Sequence, residues 1–210
     1  LLLILKEYFS VFRRSKMSLR ADQLYVTKWV PRGARVLDLG CNDGQLLAWL
    51  RDNNECSVLG VDVQEAAVLA TLQRGVDVIQ QDLESGLSLF EDNAFDVVLQ
   101  LETLQQMRHV EPILAEIARV GRQAIVSFPN FGYWKHRWQL LCGRMPVSKS
   151  LPFQWYDTPN IRCATLHDFS DLARRQGLQV QDRVAMHMGC RVEFLPNLRG
   201  SLAVFHLTKV

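Results

Sequence analysis

The chain has 210 residues, 48% of them hydrophobic and 22% charged, with a formal net charge of +2. That is enough chain for a full core in one domain of ordinary size, with the profile of a soluble globular protein. The near balance of charge gives no general case for nucleic-acid or anionic-membrane binding.

Five cysteines (Cys41, Cys56, Cys142, Cys163 and Cys190) are odd in number and never spaced CxxC. A reduced, cytoplasmic setting and the absence of a zinc site are the expectation. The histidines form no HxxxH or HxH pair, so no metal centre is expected.

The chain opens with Leu1, Leu2, Leu3, Ile4 and Leu5, an apolar run far too short to span a bilayer. No basic stretch precedes it and no small-residue cleavage site follows. Lys6, Arg13, Arg14 and Lys16 would suit a basic amphipathic anchor. The favoured expectation is an extension over residues 1–16, outside a single domain over residues 17–210 that starts naturally at Met17.

From Met17 onward strands and helices alternate, which predicts an α/β fold: a Rossmann-like, doubly wound, mostly parallel seven-stranded sheet. A first helix is predicted over Leu19–Val30, ended by Pro31-Arg32-Gly33. Strand one takes Ala34–Leu39 and is followed by a helix over Gly44–Asp52. Strand two takes Ser57–Asp62, with a helix over Gln64–Arg74 closed by Gly75. Strand three is Asp77–Gln80 and strand four Phe95–Leu99. Ile113, Leu114, Ile117 and Val120 give helical spacing to Glu111–Val120. Strand five, Gln123–Phe128, stops at Pro129-Asn130. A late helix over Leu166–Gln176 and two closing strands, Leu178–Val184 and Ser201–Leu207, complete the pattern.

Residues 130–165 interrupt it. They hold Trp134, Trp138, Trp155, Tyr133 and Tyr156, with Lys135, Arg137, Arg144 and Lys149 but no acid before Asp157. A connection this long inside a compact domain is usually functional. A short helix over Tyr133–Cys142 and a proline-punctuated loop are expected there. Substrate cap and partner interface carry equal weight, because Trp, Tyr and Arg are the usual interface anchors.

The most informative stretch is Val36-Leu37-Asp38-Leu39-Gly40-Cys41-Asn42-Asp43-Gly44: a buried strand running into a glycine turn that opens a helix. In a doubly wound sheet, ligands bind beyond the carboxyl ends of the strands. That rule selects Gly40, Cys41, Asn42 and Gly44, then Asp62 with Val63, Asp82 with Leu83, and Gln100. Asp62 lies 22 residues beyond Gly40, the distance expected of a ribose-binding carboxylate. Asp82 suits an exocyclic adenine amine, Leu83 the ring through its backbone N–H, and Val63 an apolar face. Either aspartate alone is more often a helix N-cap.

Dinucleotides are disfavoured. GxGxxG would need glycine at 40, 42 and 45, and the chain has Gly40, Asn42 and Gln45. A Walker A loop is absent as well. Asp38 would repel a pyrophosphate but favours a cationic, amino-bearing ligand, which points to S-adenosylmethionine.

VLDLGCNDG, GVD, QQDLE and FDVVLQLETLQQM resemble, in order, the four motifs of class I S-adenosylmethionine-dependent methyltransferases. In the second half, Ile125–Gly132, Gly143–Pro152 and Gln154–Ile161 are similar to the MetW family of bacterial methionine biosynthesis. The resemblance runs from about Leu19 to about Arg183. It implies association with, and support of, homoserine O-acyltransferase (MetX). One departure stands out: the family's GCGDG has asparagine at position 42 here. Asparagine accepts left-handed backbone angles, but it adds a side chain where the methionine part of the cofactor would lie.

No catalytic residue is singled out. The NPPY-type signature is missing, and Glu102 and His109 read more readily as surface residues than as bases. Two functions therefore stand side by side. One is a cofactor-sensing support protein for the acyltransferase. The other is a small-molecule S-adenosylmethionine-dependent methyltransferase.

Overall fold

A computed structural model describes residues 19–209. The expected extension over residues 1–16, its alternative as a basic anchor, and Met17 lie outside the described residues.

The chain begins with α1 (Ala21–Val26), shorter than the apolar pattern predicts. At its start the Arg20 backbone N–H donates to Gln23 Oε1 at 3.2 Å. At its end Lys28 and Trp29 donate to carbonyls three residues back, so the last turn tightens before Pro31. Then come β1 (Arg35–Leu39), α2 (Gln45–Asn54), β2 (Ser57–Asp62), α3 (Glu65–Gln73) and β3 (Asp77–Gln80). The second half runs β4 (Phe95–Leu101), α4 (Val110–Val120), β5 (Gly121–Pro129), α5 (Trp134–Leu141) and α6 (Leu166–Arg175). It closes with β6 (Leu178–His187), β7 (Cys190–Val192), α7 (Pro196–Arg199) and β8 (Leu202–Lys209).

The sheet order is β3-β2-β1-β4-β5-β8-β6-β7. The first five positions are parallel, β8 is antiparallel to both β5 and β6, and β7 is antiparallel to β6. The sheet has eight strands, where seven were expected. The extra one, β7, folds back through Met188 (φ 51°) and Gly189 (φ 81°), a two-residue hairpin loop with both positions left-handed.

Alternating side chains bury both faces, as a parallel sheet requires. On one face Leu37, Leu39, Val98, Val126 and Phe205 pack against Ile113, Leu114 and Ile117 of α4 and Phe169 of α6. On the other, Val36, Val97, Leu99 and Ile125 meet Leu46, Leu47 and Leu50 of α2 and Val26 of α1. Asp38 falls between these layers, with Val36, on the α1/α2 face.

The interval after β5 is tied down by one residue. Asn130 is fully buried; its Nδ2 donates to the carbonyls of Asn197 (2.9 Å) and Gly200 (2.8 Å), and its Oδ1 accepts from Gly132 N (3.0 Å). The Asn130 carbonyl also accepts from Nδ1 of the fully buried His136 at 3.1 Å. On its far side His136 Nε2 meets Ser148 Oγ at 2.8 Å, which pins the irregular loop to α5.

Candidate functional site

The strand order reverses between β1 and β4, and a cavity of about 300 Å³ opens at the carboxyl ends of the strands there. Gly40, Asn42, Asp62, Val63, Asp82 and Leu83 all line it.

The turn after β1 is held from two sides. Gly40 and Cys41 donate to the Val61 carbonyl at 2.8 and 3.1 Å. Asn42 N donates to Asp62 Oδ2 at 2.9 Å, and Gln64 N to Asp62 Oδ1 at 2.9 Å. Asp62 is thus both a wall of the cavity and the clamp that shapes the turn, with one further lone pair on each oxygen for a ligand. Asp82 is likewise a cap, accepting from Glu84 N at 3.0 Å.

Gly40 has φ +82°, and a Cβ there would lie 2.4 Å from Thr103 Oγ1. Gly44 has φ +68°, and its Cβ would meet Thr71 Cγ2 at 2.7 Å. Both positions therefore need glycine, for backbone freedom and for space. Asn42 takes φ 52°, the left-handed angle that asparagine accepts. Its side chain is exposed at the cavity rim.

Four expected residues are not on the cavity wall. Asp38 sits beneath the turn. Cys41 faces inward on Thr71 and Gly60, and burial pushes its thiol up to about 12. Gly44 starts α2 against Thr71. Gln100 is a strand residue: β4 runs two residues further than expected, Gln100 pairs with Val126, and its side chain is fully enclosed. The longer strand brings Glu102 and Thr103 to the position expected for Gln100. Gln106 and Met107, from the 3₁₀ turn Leu104–Gln106 and the residue after it, complete that wall. Leu101, apolar and directly after Gln100, was the signal in the sequence that the strand continues.

Asp38 is the unusual group. It is 4% exposed, and its Oδ1 has no hydrogen-bond partner among the described residues. Burial and the nearby Asp62 carboxylate push it up to about 7, while Arg20 pulls the other way. Arg20 itself bridges Asp22 at 2.9 Å and Glu102 at 2.8 Å. Glu102 is not the surface residue expected. It is partly buried at φ 54°, and burial raises its carboxyl while Arg20 opposes. His109 is exposed and does not line this cavity, but it is bonded at 2.9 Å to Glu84, which does.

Among the described residues no group of His, Cys, Asp and Glu could hold a metal. No helix among them is long and apolar enough to cross a membrane.

The fold is that of S-adenosylmethionine-dependent methyltransferases of known structure. A methyltransferase of that dependence from Mesorhizobium loti superposes with a TM-score of 0.70 at 16% identity, covering 92% of this chain and 100% of that one. One from Aquifex aeolicus gives 0.63 at 18% identity, covering 94% of each.

The chain belongs to the MetW family: residues 20–207 match the family described as methionine biosynthesis protein MetW. A curated relative is the bifunctional methionine biosynthesis protein MetXA/MetW of Rhodopirellula baltica, 39% identical over 208 residues. The match takes in 91% of this chain and 33% of that protein, so the chain spans about a third of its relative's length. The methyltransferase GfsG of Streptomyces halstedii is 32% identical over 116 residues, half of this chain and 42% of that one.

Proposed function

We propose that this protein binds S-adenosylmethionine and, in the cytoplasm, docks on homoserine O-acyltransferase and adjusts its activity to the cofactor level. Asp38 carries the cofactor reading. A buried carboxylate oxygen without a donor, behind a glycine turn, is costly unless a ligand supplies that donor. The amino group of S-adenosylmethionine is such a donor.

The backbone at Gly40 and Asn42 would hold the amino-acid end, with the turn giving way to let its amino group reach Asp38 beneath; Asp62 would take the ribose, and Asp82, Leu83 and Val63 the adenine. When bound, the cofactor supplies an electrophilic methyl group. The chain's own residues bind and orient it.

The partner reading is supported by the fused MetXA/MetW relative and by the surface of residues 130–165. Trp138, Trp155 and Tyr156 are 62%, 70% and 71% exposed, an unusual display of anchor-type side chains. Lys135, Arg144 and Lys149 of the same segment are exposed too and suit an acidic patch on the acyltransferase. Co-purification tests this. The wild type should carry the acyltransferase through size exclusion, and a Trp155→Ala/Arg144→Ala variant should not. No complex at micromolar protein would remove this half of the reading.

One observation favours methyl transfer as a second reading. Glu102 lines both the cofactor cavity and a neighbouring cavity of about 320 Å³, walled also by Arg20, Lys149 and Ser201. A donor and an acceptor could thus meet across one residue. Release of S-adenosylhomocysteine from a metabolite extract would establish this reading; its absence would leave the sensor.

A further inference from the structure

A second cavity, of about 560 Å³, is larger than the cofactor cavity. It lies between the start of α4, the end of β5 and one side of α6. The two cavities are separated by the turn around Leu104–Gln106, whose residues divide between them. Thr103, Gln106 and Met107 face the cofactor cavity, whereas Leu104, Gln105 and Arg108 face this one.

Its floor is apolar: Phe128, Pro129, Phe169 and Leu172. It continues into an adjoining cavity of about 180 Å³ under Phe131 and Trp155, with Gln105, Pro129, Arg162 and Cys163 common to both. Together the two are lined from Leu172 and Arg175 of α6 to Phe131 and Trp155 of the aromatic interval. A volume of this order is that of a small-molecule site.

The rim is cationic. Arg108, Arg162 and Arg175 all border the large cavity and are exposed. Among the described residues none of the three guanidinium groups pairs with a carboxylate. Arg162 does donate to the Arg108 carbonyl, which holds these two residues together on one side. Two acids share the rim. Asp168 is engaged by Thr165 Oγ1 at 2.7 Å, and Glu111 lies in the first turn of α4. Gln105 marks a polar point in the wall. It is 8% exposed, its Nε2 donates to the Glu102 carbonyl at 2.6 Å, and its Oε1 is enclosed without a partner. A hydroxyl or N–H on a ligand would satisfy it.

We infer that this cavity is a second ligand site, separate from the cofactor cavity, for an aliphatic carboxylic acid. The chain of the acid lies along Phe128, Phe169 and Leu172 and toward Trp155. Its carboxylate is taken by the unpaired arginines, whose planar fork matches a carboxylate with two parallel hydrogen bonds. A ligand that reaches across both cavities is a flexible chain sooner than a compact ring. The reading does not depend on S-adenosylmethionine binding.

The test is calorimetric titration of the full chain with octanoate, and with 1-octanol as the uncharged counterpart. Octanoate should saturate at one site with a Kd below about 1 mM, and octanol should bind about tenfold more weakly or worse. Arg108→Ala/Arg162→Ala/Arg175→Ala should bring octanoate to the level of octanol. Leu172→Trp, which fills the floor, should remove both. Thermal melts confirm that the variants fold. Arg175→Ala alone, at an exposed position, is the mildest version and should weaken octanoate but not octanol.

S-adenosylmethionine titrated into the same variants should bind as in wild type, so failure of the cofactor reading is seen separately. Saturation only above about 1 mM, equal binding of octanol, or undiminished binding to Leu172→Trp would each overturn the assignment.

Discussion

Asp38→Asn separates the two things a buried carboxylate does here. Asp38 lies at about 7, against an ordinary value of about 3.9. Between those values the folded protein keeps a proton that the unfolded chain has released. Stability of the ligand-free protein therefore falls as pH rises through about 4 to 7. The full difference corresponds to at most roughly 4 kcal/mol, since each factor of ten in the proton equilibrium is about 1.4 kcal/mol. Asparagine carries no charge to bury. The ligand-free variant should therefore melt higher than wild type at pH 8, with about a third of that gap left at pH 5 and little of it at pH 4.

Ligand binding reverses the preference. A cationic amino group needs the carboxylate ionised, so cofactor affinity of the wild type should rise about 25-fold between pH 5.5 and 7.5, then level off. Asp38→Asn should flatten that profile. It should also weaken binding at pH 7.5 by about 1.5–3 kcal/mol, the worth of a hydrogen bond to a charged group. Calorimetry across pH reads both effects. A flat wild-type profile, together with undiminished affinity in the variant, would refute Asp38 as the amino-group acceptor.

Three further outcomes follow from the same geometry. Asp62→Ala orphans the N–H groups of Asn42 and Gln64, so it should cost about 2–4 kcal/mol in denaturant melts as well as cofactor binding; Asp62→Asn, which keeps one acceptor, should recover part of the stability. Gly40→Ala should lower the melting temperature and abolish cofactor binding, because its Cβ would crowd Thr103 and its φ is left-handed; a variant as stable and as tight as wild type would contradict the close approach. Burial lowers His136, so the folded protein takes up its proton later than the unfolded chain as pH falls. The wild type should accordingly lose stability relative to His136→Gln as pH drops below about 6.5, and parallel melting curves from pH 7.5 to 5.5 would contradict this.

Much of the scaffold was legible because parallel strands announce themselves as short apolar runs closed by turn residues. Ser57–Asp62 and Asp77–Gln80 form over the predicted residues, and the spacing from Gly40 to Asp62 places that aspartate in the cavity wall. Errors came where local signals compete with pairing. Gln100 looked like the first residue after β4, but the ladder to Val126 and Ser127 carries the strand to Leu101 and moves the wall to Glu102 and Thr103. β7 escaped notice because methionine is a poor marker of the left-handed turn at position 188.

The pair between Arg20 and Glu102 had no local signal at all: the residues are far apart in sequence and meet only once α1 packs near the end of β4. For Asp62 and Asp82, capping a turn and lining the cavity are not alternatives. Each holds backbone N–H groups and still faces the cavity.

The central claim is that one protein reads S-adenosylmethionine and passes the reading to an acyltransferase. Calorimetric titration of S-adenosylmethionine into the chain, alone and with homoserine O-acyltransferase present, tests it most directly. Saturable binding at one site, with an affinity that changes by about fivefold or more when the partner is added, is the expected result, because coupling between two sites must appear in both affinities. No binding in either titration, or the same affinity with and without the partner, would contradict it.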